Sequence, residues 1–149
     1  MIDHIDHLRA SVRKVKQARP FHIDAWVVLP EHMHAVWTLP ESDHDYSARW
    51  KAIKIAFAKG IPVTEDRSAV RIAKGERGIW QRRFWEHTIR DDDDYARHVD
   101  YVHINPMKHG LVSRVADWPY SSFHSAVKQG LYPADWACDP SSLNVLEHE

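Results

Sequence analysis

The chain has 149 residues, 44% hydrophobic and 28% charged, a composition typical of one globular domain. A net charge of −1 excludes a globally basic nucleic-acid-binding protein, and the single cysteine excludes an internal disulfide or a multi-cysteine zinc site. No apolar run reaches the roughly 18 residues of a membrane span, and the N-terminus lacks a signal-peptide pattern. We therefore expect one domain, residues 1–149, cytoplasmic, away from membranes and monomeric, with a homodimer as the alternative.

The first half of the chain carries two helical and two strand patterns. Apolar residues at spacings of three and four predict a helix over residues 3–18. Alternating apolar residues then predict strands over residues 21–29 and 32–39, which form an antiparallel hairpin. An apolar stripe from Tyr46 to Phe57 predicts a second helix.

The second half begins with a glycine-containing basic connection over residues 60–79 and an edge strand over residues 80–89. The acidic run at residues 91–94 suits a helix N-terminus, and we expect this helix to end near Asn105, where Pro106 stops it. A shorter helix follows towards the C-terminus. This order of elements predicts an α+β fold with one antiparallel sheet and helices packed on it.

The second predicted strand carries a candidate metal site at His32 and His34. Side chains two residues apart on a strand point to the same side, so both imidazoles can reach one ion. We expect the alternating residues from Met33 to Leu39 to form the opposite, apolar face. Imidazole suits Mn, Zn, Fe or Ni, while Mg prefers oxygen ligands. With 12 histidines in the chain, an incidental pair is the alternative.

A second candidate group lies on the helix that follows the acidic run. Arg97, Tyr101 and Asn105 are spaced by four residues and form one row. The Asn105 oxygen is a candidate third metal ligand, and Arg97 a candidate for favouring a phenolate or holding a phosphate oxygen. Tyrosine is a poor nucleophile because its pKa is about 10, but a metal that polarises a phosphodiester offsets this. The alternative is a half-buried structural tyrosine.

A third feature is an interleaving of basic and aromatic residues within the locally basic stretch between Arg67 and Arg90. Basic side chains bind phosphates and aromatic rings stack on unpaired bases. An ordinary edge strand is the alternative. The candidate nucleic-acid-binding residues here are Arg77, Trp80, Arg82, Arg83 and Trp85.

Several long motifs identify a family resemblance over roughly residues 21–136. They read PFHIDAWVVLPEHMHAVWTLP, ERGIWQRRFWEHTIRDDDDYARHVDYVHINPMKHGLV, DWPYSSFH and GLYPADW, and they resemble the REP-associated tyrosine transposases of the HUH superfamily. The resemblance implies a ferredoxin-like HUH fold and nicking of single-stranded DNA hairpins without ATP. It also implies that His32 and His34 bind Mg or Mn, with Asn105 as the expected third ligand, and that Tyr101 forms a 5′-phosphotyrosine.

The sequence departs from the family pattern at its N-terminus. Family members usually have an extra strand before the first helix, whereas here the first predicted helix starts almost at Met1. We therefore expect a sheet without that strand. Two alternatives to a tyrosine transposase stay open: a non-catalytic remnant that binds DNA hairpins, and a metal-dependent phosphodiesterase that uses water as the nucleophile.

Overall fold

The computed structural model of the chain describes residues 2–61 and 85–138, which belong to two compact units. Among the described residues, the first unit contains Ile2, residues 22–38 and residues 89–138. The second contains residues 3–21, 39–61 and 85–88. Most of the predicted basic connection and part of the predicted third strand lie outside the described residues.

The elements follow the chain in nearly the predicted order, and the helices and both strands of the hairpin are confirmed. They are α1 (Ile5–Ala18), β1 (His22–Val28), β2 (Met33–Thr38), α2 (Tyr46–Lys59), α3 (Asp92–Lys108) and α4 (Phe123–Lys128). Short 3₁₀ turns precede α1, at Ile2–His4, and α4, at Val115–Asp117. Within residues 2–61 and 85–138, no helix combines the length and apolar character needed to cross a membrane.

The second unit is formed by α1 and α2, with a buried arginine between apolar residues. Ile53 and Phe57 of α2 are buried as the helical stripe predicts. Arg49, only 2% exposed, is buried with them, whereas Tyr46 and Trp50 are half-buried. The Arg49 guanidinium is satisfied by the Asp43 carboxylate at 2.8 Å and by three main-chain carbonyls, those of residues 19, 20 and 45. A planar guanidinium can donate five hydrogen bonds in fixed directions. Arg49 therefore connects α2 to residues 19–20 and to residues 43–45.

The first unit is organised around the antiparallel hairpin of β1 and β2. In its register Val27 lies opposite His34 and Ala25 lies opposite Val36, with a bulge between residues 23 and 25. Residues directly opposite each other share a face of the sheet. The buried core on this face continues onto α3 and consists of Ala25, Val27, Leu29, Val36, Val99 and Val102.

This packing corrects the predicted apolar face of β2. The buried residue of the strand is Val36, two positions from His34 and on the same face, whereas Met33, Ala35 and Trp37 are only half-buried. The sequence alternates correctly, but α3 packs on the face that carries the histidines. His34 therefore lies at the margin of the core and not on a separate polar surface.

The other edge of β1 is paired by residues 120–122. The Val28 N–H donates to the Tyr120 carbonyl at 2.9 Å, and the Trp26 N–H donates to Ser122 Oγ at 2.8 Å. The predicted third strand is different: its described part, residues 85–89, adopts no strand, and the sheet within the described residues has two strands. The structure is nevertheless α+β, as predicted.

The end of α3 differs from its prediction in a way that matters for the site. The helix does not stop before Pro106 but continues to Lys108, with His109 as its C-cap. Gly110 follows with a φ of +72°, and the Leu111 N–H donates to the Pro106 carbonyl at 3.0 Å. This pattern is the Schellman motif, which closes a helix through a left-handed residue, usually glycine. The extra turn persists because Met107 is buried in a second core cluster with Ile104, Val115 and Phe123.

Candidate active site

The two histidines of the predicted metal site lie in the hairpin turn and at the start of β2. His32 belongs to the tight turn of the hairpin, where its carbonyl accepts a hydrogen bond from the Leu29 N–H at 2.8 Å. His34 is the second residue of the strand. Their ring centroids are 5.1 Å apart, with planes at 89°. The structure therefore brings the two imidazoles together, as the two-residue spacing predicts.

The Tyr101 side chain extends from α3 towards the same pair of histidines. Its ring centroid is 5.6 Å from that of His34, with the planes at 85°. The Tyr101 side chain lies at the surface, 38% exposed, while the next helical turn is buried. The Lys108 ammonium lies 4.8 Å from the centre of the tyrosine ring, in the position of a cation–π contact. A tyrosine that is accessible and beside two candidate ligands suits attack on an external substrate.

Asn105 is fully buried one turn further along α3, with 0% exposure. Its Nδ2 donates a long hydrogen bond of 3.4 Å to the Tyr101 carbonyl. Its Oδ1 is buried and has no hydrogen-bond partner within the described residues. Because an unpaired buried acceptor is costly and uncommon, this oxygen fits a group that completes its bonding on a ligand such as a cation.

Two further residues of the site, Lys108 and His109, were missed by the sequence analysis. The His109 ring centroid is 4.9 Å from that of His32. The assumption that Pro106 ends the helix removed both residues from consideration. A signal for His109 was present, because it continues the four-residue spacing of Tyr101 and Asn105 by one more step.

The electrostatics of the cluster favour neutral imidazoles. Burial, then the neighbouring His32, His109 and Lys108, lower the pKa of His34 to about 4. Burial and His109 also lower the pKa of His32, against a small opposing effect of Glu31. Neutral imidazole is the form that binds metal ions. Two neutral imidazoles and an unpaired buried amide oxygen thus fit a divalent cation that accepts both nitrogen and oxygen ligands, such as Mn.

An open cleft of about 260 Å³ adjoins this cluster. It lies between the hairpin turn and the segment that follows α3, so a substrate has access to the histidines from this side. Its lining consists of Leu29, Pro30, Glu31, His32, His109 and Leu111.

Two of the predicted DNA-binding residues are described by the structure. Arg97 pairs with an acidic residue one turn back along α3: its Nη2 lies 3.8 Å from Asp94 Oδ1. Trp85 is 80% exposed and stacks on His87, with ring centroids 6.0 Å apart and planes at 5°. The remaining predicted residues lie outside the described part of the chain: Arg77, Trp80, Arg82 and Arg83.

Two other tyrosines, Tyr95 and Tyr132, donate hydrogen bonds away from this cluster. The Tyr95 hydroxyl donates to Asp24 at 2.8 Å, and burial together with this bond raises its pKa to about 12. The Tyr132 hydroxyl donates to Asp100, and burial raises its pKa as well. Tyr101 differs from both, because its ring faces the histidine cluster.

Comparisons with known proteins agree with the motifs, although no protein-family model matches the chain. The REP-associated tyrosine transposase of Escherichia coli K12 is 53% identical over 140 residues, an alignment that covers 94% of this chain and 77% of that protein. A Haemophilus influenzae protein of the same family name is 43% identical over 145 residues, covering 94% and 80%. A solved structure of a REP-associated tyrosine transposase bound to a REP hairpin matches with a TM-score of 0.78 at 53% identity, covering 93% of this chain and 76% of that one. The chain therefore belongs to the family of REP-associated tyrosine transposases.

Proposed function

We propose that this chain is a metal-dependent endonuclease and strand-transfer enzyme that nicks and rejoins single-stranded DNA at REP-type hairpins through a 5′-phosphotyrosine. The observation that carries the proposal is the position of Tyr101. Its side chain is accessible, and its ring centroid lies 5.6 Å from that of His34. Family membership supports the substrate class, because a 53% identical relative has been solved with a REP hairpin bound.

In this proposal His32, His34 and Asn105 hold Mg or Mn. A bound divalent cation would polarise a non-bridging oxygen of the scissile phosphate and neutralise charge that builds up there. His32 and His34 contribute neutral nitrogen ligands, and Asn105 contributes the buried oxygen that has no hydrogen-bond partner within the described residues. The cleft beside His32 leaves the ion accessible to the DNA strand.

Tyr101 is the nucleophile in this reaction. Its oxygen forms a bond to phosphorus while the bond from phosphorus to the 3′ oxygen breaks, and the phenolic proton is balanced by protonation of the released 3′ oxygen. The Lys108 ammonium, 4.8 Å from the centre of the tyrosine ring, places a positive charge beside the nucleophile. The phosphotyrosine retains the energy of the broken ester, so a 3′-OH can reverse the step and rejoin DNA without ATP.

Recognition of the hairpin involves the basic and aromatic residues predicted from the sequence. Basic groups contribute salt-dependent affinity, and an exposed tryptophan stacks on an unpaired base. Trp85, at 80% exposure, meets the second requirement. The other residues assigned to this role are Arg77, Trp80, Arg82, Arg83 and Arg97.

The test is a comparison of Tyr101→Phe with the matched variant Tyr95→Phe, which loses a hydroxyl from the same helix. Each protein is incubated with Mn²⁺ and a labelled DNA hairpin, and covalent adducts are resolved on a denaturing gel. We expect adduct and nicking in wild type and Tyr95→Phe, and neither in Tyr101→Phe. Tyr95→Phe should be the less stable variant by about 1 kcal/mol, because it loses a hydrogen bond to Asp24.

The same experiment separates the alternatives. Equal nicking by wild type and Tyr101→Phe, without an adduct, would assign the reaction to water. Tight hairpin binding by wild type with no nicking at any Mn²⁺ concentration would identify a non-catalytic binding protein.

A further inference from the structure

We propose that the Lys108 ammonium binds a non-bridging oxygen of the DNA phosphate that Tyr101 attacks, and so positions that phosphate beside the nucleophile. This role rests on the proposed function in one respect, namely that Tyr101 reacts with a phosphodiester. It goes further because the sequence motifs assign no role to Lys108. No proton moves and no covalent bond changes at Lys108, whose contact with the phosphate is an ionic hydrogen bond.

Lys108 lies beside both the candidate nucleophile and a candidate metal ligand. Its Nζ is 4.8 Å from the centre of the Tyr101 ring, and that centre is 5.6 Å from the ring centre of His34. Burial, two neighbouring histidines and then Lys108 lower the pKa of His34 to about 4, so the ammonium also acts on this imidazole. A phosphorus atom attacked by the Tyr101 hydroxyl lies about 3–3.5 Å from that oxygen. A phosphate placed there is within reach of the flexible lysine side chain.

No carboxylate of the described residues pairs with Lys108. Arg97, the cation predicted from the sequence to hold a phosphate oxygen, has its Nη2 3.8 Å from Asp94 Oδ1. Lys108, by contrast, is exposed and forms no ion pair with a carboxylate of residues 2–61 and 85–138. Because a cation–π contact at an exposed site is weak, an anion can replace the Tyr101 ring as the partner of Lys108. A DNA phosphate supplies that anion.

The end of α3 fixes the backbone from which Lys108 extends. The Gly110 N–H donates to the Met107 carbonyl at 2.9 Å, as part of the motif that closes the helix. Met107 is buried, so the main chain is held on both sides of Lys108. The position of the lysine is therefore set by the helix that also carries the nucleophile, while its side chain can still adjust to the DNA.

A lysine at a helix C-terminus has an ordinary alternative explanation, because a cation there interacts favourably with the helix dipole. The chain offers a matched control for this in Lys128. Lys128 is the last residue of α4, is exposed like Lys108, and is likewise followed two residues later by a glycine of positive φ. Lys108→Met and Lys128→Met thus remove the same charge from the same position of a helix, but Lys108 is the one beside Tyr101.

The first experiment measures hairpin binding in EDTA, where no divalent ion contributes and we expect no nicking. Fluorescence anisotropy of a labelled hairpin with a single-stranded flank gives the affinity at a series of salt concentrations. The loss of one phosphate contact should reduce the slope of log affinity against log salt by about 0.7 in Lys108→Met. Lys108→Arg and Lys128→Met should keep the wild-type slope, and circular dichroism should show all variants folded.

The second experiment identifies the phosphate that Lys108 contacts. Binding of wild type and Lys108→Met is compared on hairpins whose nicked phosphate carries a methyl group in place of a non-bridging oxygen. This neutral linkage should weaken binding by wild type and have little further effect on Lys108→Met, because both changes remove the same contact. On the natural phosphate, with Mn²⁺ and saturating DNA, adduct formation should slow by about 10²-fold in Lys108→Met and recover in part in Lys108→Arg.

The possible failures have different meanings. An unchanged salt slope in Lys108→Met, or an equal fall in Lys128→Met, would overturn the phosphate contact. Equal weakening of wild type and Lys108→Met by the neutral linkage would overturn the assignment of Lys108 to the reacting phosphate. Absence of nicking by wild type at every Mn²⁺ concentration would overturn the proposed function, while the salt slope in EDTA would still decide whether Lys108 binds a DNA phosphate.

Discussion

Replacing Gly110 with alanine tests how the end of α3 is built. Gly110 has a φ of +72°, in the left-handed region that alanine disfavours. A Cβ added here would meet no atom within 4 Å, so the entire penalty comes from the backbone. That penalty is roughly 1–2 kcal/mol, and at about 2–4 °C per kcal/mol for a chain of this size we expect the melting temperature to fall by about 2–8 °C.

The matched control is Gly130→Ala at the end of α4. Gly130 has a φ of +77°, also with no atom within 4 Å of an added Cβ, and closes its helix through the same pair of hydrogen bonds. Thermal unfolding followed by circular dichroism should show a similar loss for both variants. Gly110→Asn should recover part of the loss, because asparagine tolerates the left-handed region better than alanine.

Only the Gly110 variant should also affect the proposed metal site, because the neighbouring His109 N–H donates to the carbonyl of Asn105, a proposed ligand, whereas Gly130 is adjacent to no proposed ligand. If the last turn of α3 unwinds to relieve the strain, Asn105 loses this hydrogen bond and Mn²⁺ binding weakens in Gly110→Ala alone. Unchanged stability of Gly110→Ala would refute the left-handed helix end. Equal Mn²⁺ affinity of the two glycine variants, with Gly110→Ala destabilised, would show that this turn does not position Asn105.

Three further predictions concern polar groups that form hydrogen bonds inside one unit or inside the other. Arg49→Met should lower the free energy of unfolding by about 1–3 kcal/mol in chemical denaturation, because it removes the donor that satisfies three main-chain carbonyls. The bond from Arg49 holds the pKa of Asp43 at about 2, below its ordinary value of 3.8, so its stabilising effect should be complete above pH 4 and lost as pH falls towards 2. Asp43→Asn should remove that part of the pH dependence of stability. Ser122→Ala removes the hydroxyl that accepts from the Trp26 N–H and bonds to the buried His103, each at 2.8 Å, and should cost about 1–3 kcal/mol in the same denaturation assay.

Much of the fold was predictable from the sequence because its signals are local. The Asp91 carboxylate caps α3 by accepting from the Asp94 N–H at 2.8 Å, as an acidic run before an apolar stripe predicts. The strand repeat of two residues places His32 and His34 together, and the helical repeat places Tyr101 and Asn105 in one row. Backbone geometry determines such spacings wherever the element forms, so no knowledge of the neighbouring elements is needed.

Burial was less predictable, because it depends on which element packs on which face. Alternation along β2 shows that the strand has two faces, but α3 packs against Val36 and makes the histidine face the buried one. Likewise, the stripe on α2 does not reveal Arg49, whose burial requires carbonyl partners from segments distant in the sequence. These outcomes are decided by contacts between elements, which a single repeat does not encode.

The sequence by itself therefore determined the family resemblance, the order of the main helices and the hairpin, and the paired histidines with their candidate tyrosine. Tertiary structure alone decided that α3 continues past Pro106. A proline in the last turn removes one hydrogen bond, and the burial of Met107 with Ile104 and Phe123 outweighs that loss. The extra turn brings Lys108 over Tyr101 and His109 against His32, so the composition of the site depends on packing that occurs on the other side of the helix.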